Sequence, residues 1–231
     1  MQAEVILSPA EAKHHDFTGK TCVVIDVFRF TTTVLTALEA GIERFFPVGE
    51  VEEALKLKEA NPRLLLGGER QALKIPGFDF GNSPLEHFGQ HYVGGELICS
   101  TTNGTRAIQA ARGASQVVLA SLRSAKAVAE HIQGHPDLLF LPAGLRGKFS
   151  LEDTWCAGLI LSYLQGYELR DGARVAQLVY EQTPLEELRD SEHGKRLQDL
   201  NLWDDLDFCL ECNVSSGVVV WDQKSGWGTL G

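Results

Sequence analysis

Thr21-Cys-Val-Val-Ile-Asp-Val-Phe-Arg-Phe-Thr-Thr-Thr33 passes without a break from a continuous apolar run into a hydroxyl-rich turn and then into a helical pattern. An apolar run with no polar alternation fits a strand covered on both faces, the environment of a parallel sheet. The pattern continues outward from there. Apolar runs lie near residues 44–48, 63–66, 96–99, 116–120 and 138–141, separated by amphipathic stretches near 32–40, 51–60, 104–112, 124–133 and 151–164. Strands alternating with helices predict an α/β fold in three layers, a mainly parallel sheet with helices on both faces. From Gly172 to Val214 the chain reads helical, and Gly217 to Trp221 reads as a closing strand.

A near-repeat lies within this pattern. Phe30-Thr-Thr-Thr33 and Ser100-Thr-Thr-Asn-Gly-Thr105 each follow a strand and open a helix, and Thr33 is as far from Thr105 as Gly41 is from Gly113. We read a single domain over 1–231, with an internal duplication at about 21–95 and 96–165 and a helical C-terminal part at 166–231. Two similar lobes would then turn their hydroxyl-rich turns towards one cleft.

With 231 residues, 44% apolar and 23% charged, the chain has the composition of an ordinary globular protein. Its net charge of −10 argues against binding duplex nucleic acid, which needs a basic face to displace counterions. A small anionic substrate is compatible, because local arginines or a metal ion reverse the field inside one cleft. The longest charge-free run, Thr154 to Tyr167, falls short of the roughly 18 apolar residues of a membrane span. The start lacks the basic region of a secretory signal. Five scattered cysteines predict reduced thiols and a cytoplasmic location. A two-fold homodimer is expected on general grounds alone.

Several turns carry chemistry. Asp26, at a strand end, can hold a divalent metal, with Arg29, Thr31, Thr32 and the first helical amides placed for an anion. The plainer alternative makes Asp26 a structural hydrogen-bonder and the threonines caps. In Thr101-Thr102-Asn103-Gly104-Thr-Arg106, Asn-Gly can turn backbone amides towards a ligand, with Arg106 one turn inside the helix. Glu69 and Arg70 follow a buried strand and are either a metal ligand with an anion clamp or an ion-paired surface turn. Phe78-Asp-Phe-Gly-Asn82-Ser-Pro84 is a capping segment or a wall of the cleft. Ser150 and Asp153 have capping-box spacing, and on spacing alone capping explains them best. Gly226-Trp-Gly-Thr-Leu-Gly231 matches a dinucleotide fingerprint with no helix to receive a pyrophosphate, and Cys209-x-x-Cys212 lacks a second ligand pair. There is no P-loop.

Taken in order, Val24-Ile-Asp26-Val-Phe-Arg29-Phe-Thr-Thr-Thr33, Gly68-Glu69-Arg70, Phe78-Asp-Phe-Gly-Asn82-Ser-Pro84, Thr101-Thr-Asn103-Gly-Thr-Arg106 and Leu151-Glu152-Asp153-x-x-Cys156-Ala-Gly158 resemble the 2-phosphosulfolactate phosphatase family. His193-Gly-x-x-Leu197, followed by Asp207-Phe-Cys209, is similar to that family's C-terminal signature. The resemblance implies a Mg²⁺-dependent phosphatase that converts 2-phospho-3-sulfolactate to 3-sulfolactate and phosphate, a step of coenzyme M biosynthesis. On that reading Asp26, Glu69 and Asp153 share metal coordination and proton transfer. Arg29, Thr31, Thr32, Arg70, Asn82, Thr101, Thr102, Asn103, Gly104 and Arg106 are the candidate substrate contacts, and Arg146 lies in a further strand-end loop. Mg²⁺ prefers one or two carboxylates plus water and phosphate oxygens, so three carboxylates leave one for acid or base work. The alternatives are a phosphatase for another small phosphorylated acid and a catalytically silent anion-binding protein.

Overall fold

The computed structural model describes residues 1–231. Its strands are β1 (Gln2–Val5), β2 (Thr21–Ile25), β3 (Arg44–Val48), β4 (Leu65–Arg70), β5 (Leu73–Lys74), β6 (Glu96–Ser100), β7 (Gln116–Ala120), β8 (Asp137–Pro142), β9 (Glu168–Leu169), β10 (Val219–Trp221) and β11 (Gly228–Leu230). The helices are α1 (Phe30–Glu39), α2 (Val51–Ala60), α3 (Gly104–Ala110), α4 (Ala125–Ile132), α5 (Leu151–Tyr163), α6 (Asp171–Gln182), α7 (Glu192–Asp199) and α8 (Trp203–Cys209). They form the expected α/β fold, one sheet in the order β5-β4-β6-β3-β11-β10-β7-β2-β8-β1-β9 with helices on both faces. No helix is long and apolar enough to cross a membrane.

Strand β2 shows why its apolar run is continuous. Val23 and Ile25 pack with α4, α5 and α6, while Cys22 and Val24 pack with α1 and α3. Each face needs its own hydrophobic set, so no position along the strand is left for a polar residue.

Strands β9, β1, β8, β2 and β7 pair in parallel, as do β4, β6 and β3. The C-terminal hairpin β10–β11 stands between these blocks and is antiparallel within itself, to β7 and to β3. Three successive antiparallel junctions reverse the sense, so the two parallel blocks run in opposite directions along the sheet. The alternating pattern contains no sign of that reversal. Strands β1, β5, β9 and β11 also lie outside it, being too short to show a period.

The two similar sequence segments are interleaved in space. Strand β2 of the first lies between β7 and β8 of the second, and β6 of the second lies between β3 and β4 of the first. Helices α1 and α3 therefore both cross between the blocks, and their buried faces share one core cluster. Their N-termini meet at Gly104, where a Cβ would lie 2.2 Å from the Phe30 ring and 2.8 Å from Asp26 Oδ2.

The hairpin's contact with β3 is equally tight. Gly228 is in register with Phe45, which is fully buried, and a Cβ at Gly228 would lie 2.0 Å from the Phe45 ring. Overpacking of this kind costs about 1–3 kcal/mol. Gly228→Val is expected to lower the urea midpoint of unfolding by a corresponding amount with an unchanged m-value.

Candidate active site

The turns after β2 and β6, the β4–β5 turn, the loop after β8 and helix α7 surround a cleft of about 250 Å³. Of the residues singled out in the sequence, Asp26, Arg29, Glu69, Arg70, Asn82, Thr101, Thr102 and Asn103 line it. Arg146, His193 and Arg196 complete its polar wall.

Asp26 is buried where α1 and α3 converge. Burial pushes its carboxyl up to about 6; the charge of His193 opposes the shift, and the charges of Glu69 and Glu152 add to it. Glu69 joins two walls of the cleft. Its Oε1 accepts from the Thr102 amide and its Oε2 from the Ala72 amide, both at 2.7 Å. The second of these bonds closes the two-residue turn between β4 and β5. There Gln71 and Ala72 both have positive φ, a turn normally built from Asn and Gly. Two non-glycine residues in that region are strained, and strain persists only where the surroundings impose it. Here Glu69 holds the Ala72 amide, and Arg29 Nη2 donates to the Ala72 carbonyl at 2.8 Å.

The arginines divide into two groups. Arg29 is buried and pairs with Asp205 of α8 at 2.5 Å, and Asp205 also accepts from the Ser83 hydroxyl. Arg70 donates to the carbonyls of Gly49, Glu69 and Ser100 and to the Ser100 hydroxyl. These two guanidinium groups hold the walls together. Arg146 and Arg196 line the cleft and have no side-chain partner in the protein, which leaves their guanidinium forks for a ligand.

Other sequence expectations fall elsewhere. The Thr31 hydroxyl donates to the Asp26 carbonyl at 2.8 Å, and the Thr32 hydroxyl donates to the Val27 carbonyl at 2.9 Å. These hydroxyls stitch the turn and do not line the cleft. Arg106 is exposed on the outer side of α3, one turn beyond the residues that face inward. Gly104 makes room for the site and adds no group to it. Asp153 is sealed at the start of α5, where Oδ1 accepts from the Val27 amide and Oδ2 from the Gly144 amide. Burial, with the charges of Glu152 and Asp26, pushes its carboxyl well above the ordinary range. Its amide also donates to the Ser150 hydroxyl oxygen, which caps α5 as the spacing suggested.

The sequence reading missed Asp205 and Arg196 and gave no role to the pair Glu152–His193. Glu152 is buried, with Oε1 2.9 Å from His193 Nδ1. Burial pushes the Glu152 carboxyl up, but its hydrogen bond to His193 and the charge on that ring outweigh burial and hold it below its ordinary value.

The donor set suits a hard cation in part. Asp26 and Glu69 offer oxygen donors to one cleft, the one or two carboxylates that Mg²⁺ takes alongside water and phosphate oxygens. Asp153 does not join them, because it is sealed at the start of α5 and does not line the cleft, and no group of three or more His, Cys, Asp or Glu side chains converges as a ready-made cage.

An open α/β sheet that gathers carboxylates, free guanidinium groups and hydroxyls in one small cleft defines an enzyme for a small oxyanion. The family model described as 2-phosphosulpholactate phosphatase matches residues 6–224. A probable 2-phosphosulfolactate phosphatase of Clostridium perfringens (strain SM101 / Type A) is 40% identical, over 98% of this chain and 95% of that protein. Proteins of the same description from Carboxydothermus hydrogenoformans and Symbiobacterium thermophilum are 41% and 42% identical, covering 93% and 95% of this chain and 90% and 97% of theirs. The chain belongs to the 2-phosphosulfolactate phosphatase family, a family of phosphoric monoester hydrolases.

Asp26 links the site to stability. A carboxyl shifted from 3.8 to about 6 on folding binds its proton more tightly in the folded state. Its contribution is complete at low pH and is lost as pH rises through about 6, on the order of 3 kcal/mol in all. In EDTA, Asp26→Asn is therefore expected to raise the thermal midpoint at pH 8 and to leave it nearly unchanged at pH 4.

Proposed function

We propose that this chain hydrolyses 2-phospho-3-sulfolactate to 3-sulfolactate and phosphate, with Mg²⁺ as cofactor. The observation that carries the reading is that one cleft of about 250 Å³ holds two carboxylates, Asp26 and Glu69, and two unpaired guanidinium groups, Arg146 and Arg196. The substrate places a phosphate, a sulfonate and a carboxylate on three carbons. A protein of net charge −10 needs concentrated positive charge to hold three such anionic groups.

On this reading Asp26 and Glu69 hold the cation, which, when bound, supplies Lewis-acid polarisation of the phosphoryl oxygens. Hydroxyls of Thr101 and Thr102 and the side-chain amides of Asn82 and Asn103 orient the phosphoryl group. Asn103 Oδ1 accepts from the Arg146 amide at 3.2 Å, which ties the phosphoryl turn to the arginine loop. Arg146 and Arg196 take the sulfonate and carboxylate, because a planar fork matches such oxyanions. The alternative substrate, a phosphorylated acid without a sulfonate, would leave one of these guanidinium groups unused. We place the step in coenzyme M biosynthesis and the protein in the cytoplasm, which its five free thiols support.

Phosphate release from phosphosulfolactate, phospholactate and phosphoglycolate, each with Mg²⁺ and then with excess EDTA, tests the reading. We expect Mg²⁺-dependent release with a clear preference for the sulfonated ester. No release from any ester would indicate a silent anion-binding protein. Arg196→Ala is expected to raise KM for phosphosulfolactate about 10- to 100-fold, the loss of one charged hydrogen-bonded contact, and to raise KM for phospholactate less.

A further inference from the structure

We infer that His193, held by Glu152, donates the proton that the leaving oxygen of the phosphate ester takes up, an inference that rests on the phosphatase reading above. The geometry is that of an oriented base–carboxylate pair. Glu152 is 1% exposed, and its Oε1 lies 2.9 Å from His193 Nδ1. The Phe28 ring packs edge-on against the imidazole, with centroids 5.8 Å apart, and limits its rotation. The Nδ1–H is thus committed to the carboxylate. Nε2 has no protein partner and is not among the polar atoms sealed without one. His193 lines the same cleft as Asp26, so Nε2 is the edge of the ring left for substrate.

The remaining groups of the cleft are poorly placed to give a proton. Both oxygens of Glu69 are already engaged as acceptors of amide hydrogens. Asp26 is assigned to the cation. Arginine does not release a proton in proteins, and threonine hydroxyls are too weak as acids. An alkoxide is a poor leaving group, so a positioned acid matters most for an alkyl ester such as phosphosulfolactate.

In the step, the oxygen of water forms a new bond to phosphorus as the bond from phosphorus to the ester oxygen breaks. The electron pair of the broken bond goes to that oxygen, which takes the Nε2 proton and leaves as the alcohol of sulfolactate. The proton shed by the attacking water returns through solvent to Nε2. Glu152 acts as a positioning residue that fixes the orientation of the ring through Nδ1.

Kinetics of His193→Asn and Glu152→Gln, each with a wild-type-like circular dichroism spectrum, test the role. For His193→Asn we expect kcat on phosphosulfolactate to fall on the order of 10²- to 10⁴-fold with KM nearly constant. Turnover of p-nitrophenyl phosphate, whose phenolate leaves without a proton, should fall less than about tenfold. The bridging-¹⁸O isotope effect on phosphosulfolactate should grow, because the bond then breaks with no proton arriving. Glu152→Gln should shift all three in the same direction by less, and it carries the test if His193→Asn does not fold. Equal losses on both esters with an unchanged isotope effect would overturn the proton-donor role while leaving the phosphatase reading standing. Absence of phosphosulfolactate hydrolysis by the wild-type protein would overturn both.

Discussion

A methyl group on residue 104 would press against the Phe30 ring and the Asp26 carboxylate, and the site depends on its absence. Because Gly104 leaves that space, α3 can start against the turn that ends β2, bringing two strand-end turns into one cleft. From there a chain of hydrogen bonds fixes the rest. The Thr102 amide reaches Glu69, Glu69 reaches the Ala72 amide, the Ala72 carbonyl receives Arg29, and Arg29 reaches Asp205 on α8. Segments far apart in the sequence are thus held by groups that are buried or half-buried and mutually satisfied. The arrangement is preorganised, because none of these groups can move without leaving a partner unpaired.

The same network explains which charges are free. A buried guanidinium is tolerable only when paired, and losing one partner of a buried pair costs about 3–5 kcal/mol. Arg29 meets that requirement with Asp205, and the half-buried Arg70 is likewise satisfied by backbone carbonyls, so both brace the walls of the cleft. Arg146 and Arg196 sit on a loop and a helix at the rim, where water solvates them until a ligand arrives. Asp26 and Asp153 show the corresponding division among the acids. Asp153 has two amides and joins α5 to the β2 turn, whereas Asp26 faces the cleft with its carboxyl pushed up by burial.

The scaffold makes this convergence feasible by an unusual route. A purely parallel sheet would carry all its strand ends to one edge, but here the β10–β11 hairpin reverses the sense between two parallel blocks. Interleaving of β2 and β6 sends α1 and α3 across the same face, and that crossing brings Asp26 beside the Thr101–Gly104 turn. The C-terminal hairpin is therefore structural cement for a site to which it contributes no cleft residue.

Much of this was legible in the amino-acid sequence. The alternation of apolar runs and amphipathic stretches determined the α/β class by itself, because helix and strand periods are local properties of the chain. Asp26, Glu69 and the Thr101–Asn103 turn stood out because polar residues at the end of a buried strand are costly unless something uses them. Tertiary structure alone decided the rest. Thr31 and Thr32 could face a ligand or their own turn, and only the packed helix showed that their hydroxyls return to the backbone. Arg106 and Arg196 are alike as sequence, one exposed on α3 and the other on the cleft wall, because helix orientation selects between them. The Glu152–His193 pair and the reversed parallel blocks had no local signal. Both arise from contacts between distant segments, and those form only when the whole core closes.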